Sequence, residues 1–300
     1  MADSRIKVMG IGGAGCSTVE SMLSSECSRE CDLIAVNTDA ASLLRSKVPS
    51  KFLLGKEVTK GRSTGNDMKL GEKAALYDQV KLASLLSEAD VAFLVAGLGG
   101  GTGAGASPVI ASLAKAAGAV VVSFATMPFQ AEGKVCAQNA SYALSELKHY
   151  SDLIVLVQSD KILELTHSMP ITEAFLRVNE VRLKSMESMV QVMLQSGLEE
   201  IKPVLKGFAT IGVGTGEDAR TAAENSLRHL LIVKGVLEVS GVLVSILKPA
   251  SYPPENVIDA VEYMSSQFRE AKLLWISGEK NNASNSVDVI SLAIGLNPPL

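Results

Sequence analysis

No block of basic residues occurs anywhere in the 300 residues, and the formal net charge is -4. A nucleic-acid backbone therefore finds no electrostatic footprint here. Histidine is scarce, with three copies, and the four cysteines (Cys16, Cys27, Cys31, Cys136) fall at spacings that match no metal knuckle. No metal centre is expected, and unpaired thiols in the first half of the chain suit a reducing interior. Long hydrophobic runs are missing too: the longest, at 91–95, 118–125 and 153–157, stop well short of the roughly 20 residues of a membrane helix. The first residues carry no apolar signal segment, so a soluble, cytoplasmic protein is expected. Repeats, low-complexity tracts and a charged tail are also lacking, which predicts no direct membrane binding.

What the chain does have is an ordinary α/β composition, 47% hydrophobic with 25 Gly and 10 Pro. Its length is near the limit for one hydrophobic core and predicts one large or two packed domains. The glycine-dense run 97–105 follows an apolar strand pattern at 91–96 and precedes a helix pattern at 106–117. So many glycines carry an entropic cost that a plain turn does not require. They suit a loop whose amides approach an anion, with the next helix aiming its positive end at it, and Thr102 adds a hydroxyl.

Strand patterns at 6–9, 31–36, 119–125 and 153–158 alternate with helices, including one from 17 and one at 40–44, as in a mostly parallel sheet covered on both faces. Each strand ends at a polar or glycine-rich loop, so the loops gather at the carboxyl edge of the sheet. A long helix over 171–194 offers Phe175, Val178, Val181, Met186, Met189, Val190 and Met193 as a buried stripe. After it, strands at 208–213, 241–247, 272–277 and 287–296, with helices at 219–230 and 254–268, describe a different architecture. The predicted organisation is a mostly parallel-sheet nucleotide-binding domain at 1–170, a central helix at 171–196 and a smaller α+β domain at 197–300.

A second glycine loop, 10–15, fits the spacing Gly-x-Gly-x-x-Gly through Gly10, Gly12 and Gly15. A nicotinamide-dependent oxidoreductase is thus a remote alternative. Against it, the second strand ends in Asn37, Thr38 and Asp39 without the expected ribose-binding acid at its tip, and no hydride-transfer site is evident. The Lys-Ser/Thr ending of a P-loop is absent from both glycine loops. Two such loops at different strand ends imply a phosphate chain held mainly by amides and helix ends.

At this point the sequence resembles the tubulin/FtsZ superfamily, in the segments 99–105, 6–15, 35–40, 128–134, 159–161, 173–181 and 216–219, taken up again at 241–244. The pattern is that of a divergent FtsZ-like protein, with an archaeal paralogue as one expectation. The resemblance implies a GTP or GDP site. Gly99, Gly100, Gly101, Thr102 and Gly103 would cradle the phosphates, with Gly12 and Gly13 against them. Asn37 and Asp39 would approach the nucleotide from a second loop, and Gly65 from a third that senses the γ-phosphate. Glu132 would bond the ribose, Asn179 would read the guanine edge and Phe175 would cover the base. Mg2+ would accompany GTP. Capping roles remain open for Asp39 and Glu132.

Three departures from the family pattern bear on mechanism. The third loop, 61–68, carries bulky polar residues where glycine and alanine are usual, so hydroxyls either replace amide contacts or prop the loop away. Cys136 stands where an arginine is usual; with no histidine partner it is expected to be structural. In the loop after the long helix, through which a neighbouring subunit would supply acids, Lys202 and Leu205 occupy the expected carboxylate positions. Glu199 and Glu200 are the remaining, displaced catalytic candidates. The implied function is a guanine-nucleotide-binding cytoskeletal protein that self-associates head to tail with weak or absent GTP hydrolysis. The alternative is a non-polymerising regulatory GTP/GDP binder.

Overall fold

The computed structural model describes residues 5–166, 170–228, 230, 239–280 and 285–296. It divides into two compact units, Met1–Leu183 and Lys184–Leu300. The first unit alternates strand and helix: β1 (Ile6–Ile11), α1 (Gly12–Met22), β2 (Cys31–Asn37), α2 (Ala40–Arg45), β3 (Ser50–Leu53), then three short helices, α3 (Lys56–Thr59), α4 (Met68–Tyr77) and α5 (Gln79–Leu86). It continues with β4 (Val91–Gly97), α6 (Gly101–Ala116), β5 (Val120–Met127), α7 (Lys134–Tyr150), β6 (Leu153–Gln158), α8 (Ser159–Thr166) and α9 (Ile171–Ser196), inside which the first unit ends.

The strand order in this unit is β3-β2-β1-β4-β5-β6, every pair parallel. β1 and β4 are central, which explains why both read as nearly unbroken apolar runs: each is covered on both faces. Phe93 of β4 and Phe124 of β5 are fully buried, with ring centroids 5.9 Å apart. The sheet order reverses about β1 and β4, so their carboxyl ends form the crevice in which such folds bind ligands.

The second unit contains α10 (Leu198–Ile201), β7 (Gly207–Gly216), α11 (Ala219–Arg228), β8 (Gly241–Lys248), α12 (Val257–Gln267), β9 (Lys272–Glu279) and β10 (Val287–Leu296). Its strands run β7-β10-β8-β9, with β10 antiparallel to both neighbours and β8 parallel to β9. Ala219, Ala222 and Ala223 of α11 pack with Val242, Val244 and Ile246 of β8 in its core. Position 229 of the predicted helix 219–230 lies outside the described residues, as does the chain end at position 300.

The structure corrects the sequence reading at the starts of two helices and at Phe175. Helices α1 and α6 begin at Gly12 and Gly101, not after the glycine loops, so the glycines form their first turns. Helix propensity disfavours glycine there, but close packing overrides it, because these turns press against neighbouring backbone. Phe175 is not part of the buried stripe of α9; it is 48% exposed, whereas Met186, Met189, Val190 and Met193 are buried. Arg182, which the stripe as read did not include, is also buried on α9. Residues 50–86, for which the sequence reading predicts no element, form β3 and α3 to α5. No helix among the described residues is long and apolar enough to cross a membrane.

Candidate functional site

The carboxyl ends of β1, β2, β4 and β5 and the starts of α1 and α6 open on one cavity of about 290 Å³. Gly12 has φ +73°, a left-handed conformation that favours glycine, and a Cβ there would come within 3.0 Å of the Gly103 amide nitrogen. A Cβ on Gly103 would overlap the carbonyl oxygen of Gly97. The two helix starts therefore meet, at a distance only glycine permits. Neither helix has a side-chain cap or an acidic residue in its first turn. Both positive dipole ends face the cavity unopposed, the arrangement that attracts an anion.

A set of hydroxyls joins three loops at this point. Thr102 Oγ1 lies 2.9 Å from Thr38 Oγ1 and 2.9 Å from Thr64 Oγ1, and all three side chains are buried. The loop bearing Thr64 is pinned elsewhere too: Gly101 N–H donates to Gly65 O at 2.8 Å and Ala40 N–H to Gly61 O at 3.0 Å. Asn139 of α7 donates through Nδ2 to both Asn66 O (2.9 Å) and Gly99 O (3.1 Å), tying this loop to the glycine loop. Within the polar 61–68 loop, Thr64 folds inward onto Thr102 while Gly65 keeps a backbone contact to Gly101.

The cavity wall brings together Gly12, Gly13, Asn37, Asp39, Gly65, Gly99, Gly100, Gly101, Thr102, Gly103, Glu132 and Phe175. Several of these also hold the local backbone. Asp39 Oδ1 accepts from the amides of Ala41 (3.0 Å) and Ser42 (3.3 Å), capping α2. Glu132 Oε1 accepts from the Phe129 amide at 2.8 Å. Phe129 in turn meets Phe175 edge to face, with centroids 4.9 Å apart.

Asn179 does not line the cavity but stands behind its wall. Its Oδ1 accepts from Thr18 Oγ1 (2.7 Å) and from Arg182 Nη2 (3.1 Å), and its Nδ2 donates to Ser21 Oγ (3.1 Å). Both carbonyl lone pairs are thus occupied, which leaves one amide hydrogen for any further partner. Glu199 and Glu200 belong to the other unit, where Lys272 pairs with Glu200. Cys136 is buried beside Gly99; burial, and to a lesser extent Glu132, push its thiol pKa up, which disfavours a nucleophilic thiolate.

Sequence reasoning missed Thr38, Thr64, Asn139 and Arg182. Arg182 had a signal: it follows Phe175 and Asn179 at helical spacing, seven and three residues on. The other three emerge only when loops distant in sequence are brought together.

A parallel sheet whose carboxyl edge presents two uncapped, glycine-led helices to one cavity defines a protein that holds a phosphate-bearing ligand by backbone and helix ends. Residues 5–167 match the model of the Tubulin/FtsZ family, GTPase domain. The chain is 38% identical over 283 residues to cell division protein FtsZ 1 of Pyrococcus furiosus, covering 91% of this chain and 76% of that protein. An empty FtsZ dimer of M. jannaschii superposes with a TM-score of 0.91 at 32% identity, over 97% of this chain and 88% of that one. A GTPγS-bound protofilament of CetZ2 from Haloferax volcanii shares the fold, with a TM-score of 0.80 at 22% identity over 97% and 93% of the two chains. The chain belongs to the Tubulin/FtsZ family, and its GTPase domain is a guanine-nucleotide-binding fold.

Proposed function

We propose that this chain binds GTP or GDP in the cavity at the carboxyl edge of the first sheet and assembles head to tail as a cytoskeletal filament with slow GTP turnover. The observation that carries the reading is the meeting of two uncapped helix starts at Gly12 and Gly103. A phosphate chain suits two helix starts brought this close by glycines that no larger residue could replace at positions 12 and 103. Among the described residues no cluster of three His, Cys, Asp or Glu forms a metal cage. Mg2+ accompanying GTP would be held by phosphate oxygens and water, with Thr102 and Asp39 among the cavity residues that could offer a protein oxygen, and would neutralise phosphate charge.

Slow turnover follows from the chemistry of the 198–206 segment. Water attack requires a positioned acceptor for its proton. Lys202 is a cation, and Leu205 is buried and apolar. The Glu200 carboxylate is engaged by Lys272, which also donates to Glu200 O at 3.1 Å. Glu199, exposed, is the remaining candidate.

Phosphate release and light scattering at high protein concentration, with GTP, GDP and no nucleotide, test this together. Filaments with slow release are expected. Rapid turnover lost in Glu199→Ala or Glu200→Ala would instead identify working, displaced acids. Absence of filaments in every nucleotide state would favour a regulatory binder.

A further inference from the structure

Arg182 is the one cationic side chain among the described residues lining the cavity. It is 4% exposed, and among the described residues no carboxylate pairs with it. Its Nη1 donates to Thr126 Oγ1 at 3.3 Å, its Nη2 to Asn179 Oδ1 at 3.1 Å and, at the limit of reach, to Ala14 O at 3.5 Å. The buried Nε has no partner. Burial alone pulls the guanidinium pKa down to about 10. A buried cation with three neutral acceptors, no carboxylate partner among the described residues and an orphaned Nε is an incomplete site, because neutral acceptors offset its desolvation only in part.

Its position says what completes it. Thr126 pairs in register with Gly97, the last residue of β4. Ala14 lies in the first turn of α1, and a Cβ on Gly97 would come within 2.9 Å of the Ala14 Cβ. Arg182 thus sits beneath the junction where the two glycine-led helix starts converge. Helix dipoles and the guanidinium act on the same point with the same sign.

We propose that Arg182 is a nucleotide-binding residue that offsets the charge of the phosphate chain from within the cavity wall. This assignment rests on the reading that the cavity takes GTP or GDP. It differs from a base-reading role, in which the guanidinium would address a keto oxygen of the purine and the phosphates would be irrelevant.

Titration calorimetry of the wild type, Arg182→Met and Arg182→Lys with GTP, GDP and guanosine, alongside thermal unfolding without ligand, separates the cases. The methionine variant should bind GTP and GDP roughly ten- to a hundred-fold more weakly while its guanosine affinity is unchanged. Its ligand-free melting temperature should stay level or rise, since an uncompensated charge has been removed, and the lysine variant should recover most of the GDP affinity. Unchanged GDP affinity, an equal loss for guanosine, or a methionine variant that fails to fold would each overturn the assignment. A wild type that binds neither GTP nor GDP would defeat the nucleotide reading itself, and the assignment with it, an outcome distinct from a binding wild type with an indifferent variant.

Discussion

Thr64 and Thr102 hold their hydroxyl oxygens 2.9 Å apart, across 38 residues of sequence, and Thr38 completes the chain from the other side of Thr102. The contact fixes the 61–68 loop against the first turn of α6, where the cavity begins. Thr102→Val keeps the volume and leaves two buried hydroxyls short of a partner. Unfolding in urea should show a loss of about 1–3 kcal/mol, and GDP affinity should fall with it. A variant as stable as wild type with unaltered GDP binding would contradict this role.

Asn139 reaches the same loop from α7. Asn139→Ala removes both donors to Asn66 O and Gly99 O. The expected result is a stability loss of about 1–3 kcal/mol together with weaker GDP binding, because the two loops lose their common tether. A purely structural role would lower stability and leave the affinity of the folded protein intact.

In the second unit, Asp218 begins α11. Its Oδ1 accepts from the Thr221 amide and its Oδ2 from the Thr221 hydroxyl, both at 2.8 Å. These bonds hold the carboxyl below its ordinary pKa of 3.8. Its stabilising contribution is therefore complete above that ordinary value and is lost as pH falls through the lower native one. Asp218→Ala should cost about 1 kcal/mol at neutral pH, the usual value of such a cap. Urea unfolding from pH 7 to 3 should show wild type and variant converging at the acid end.

Cys16 gives the opposite sign at high pH. Burial raises its thiol from 9.0 to about 12, with the Sγ donating to Gly10 O at 3.3 Å and, more weakly, to Val36 O at 3.5 Å. The native state keeps its proton where the unfolded chain has lost it. Stability from this group is whole below pH 9 and declines as pH rises toward 12. Cys16→Ala should flatten that decline in urea titrations, and wild-type Cys16 should resist iodoacetamide at pH 8 until the protein unfolds.

Much of the first unit was legible because its central strands are buried on both faces and read as apolar runs between glycine loops. The mostly parallel sheet and the glycine loops at its carboxyl edge followed from that alternation, whereas the order of the strands did not. Helix starts were misread, since local propensity puts glycine outside a helix whereas the packing of Gly12 on Gly103 admits it. Thr64, Asn139 and Arg182 stayed hidden for a different reason. Hydroxyls and amides that bridge loops leave no period in the sequence, and a charged residue within an apolar stripe reads as surface until its surroundings are known.

The central claim is guanine-nucleotide binding, and calorimetric titration of the nucleotide-stripped protein with GTP, GDP and ATP tests it most directly. The account predicts saturable binding of GTP and GDP well below millimolar concentration, with ATP markedly weaker. No binding of either guanine nucleotide in that range would contradict it, and ATP binding as tight as GTP would remove guanine recognition from the site.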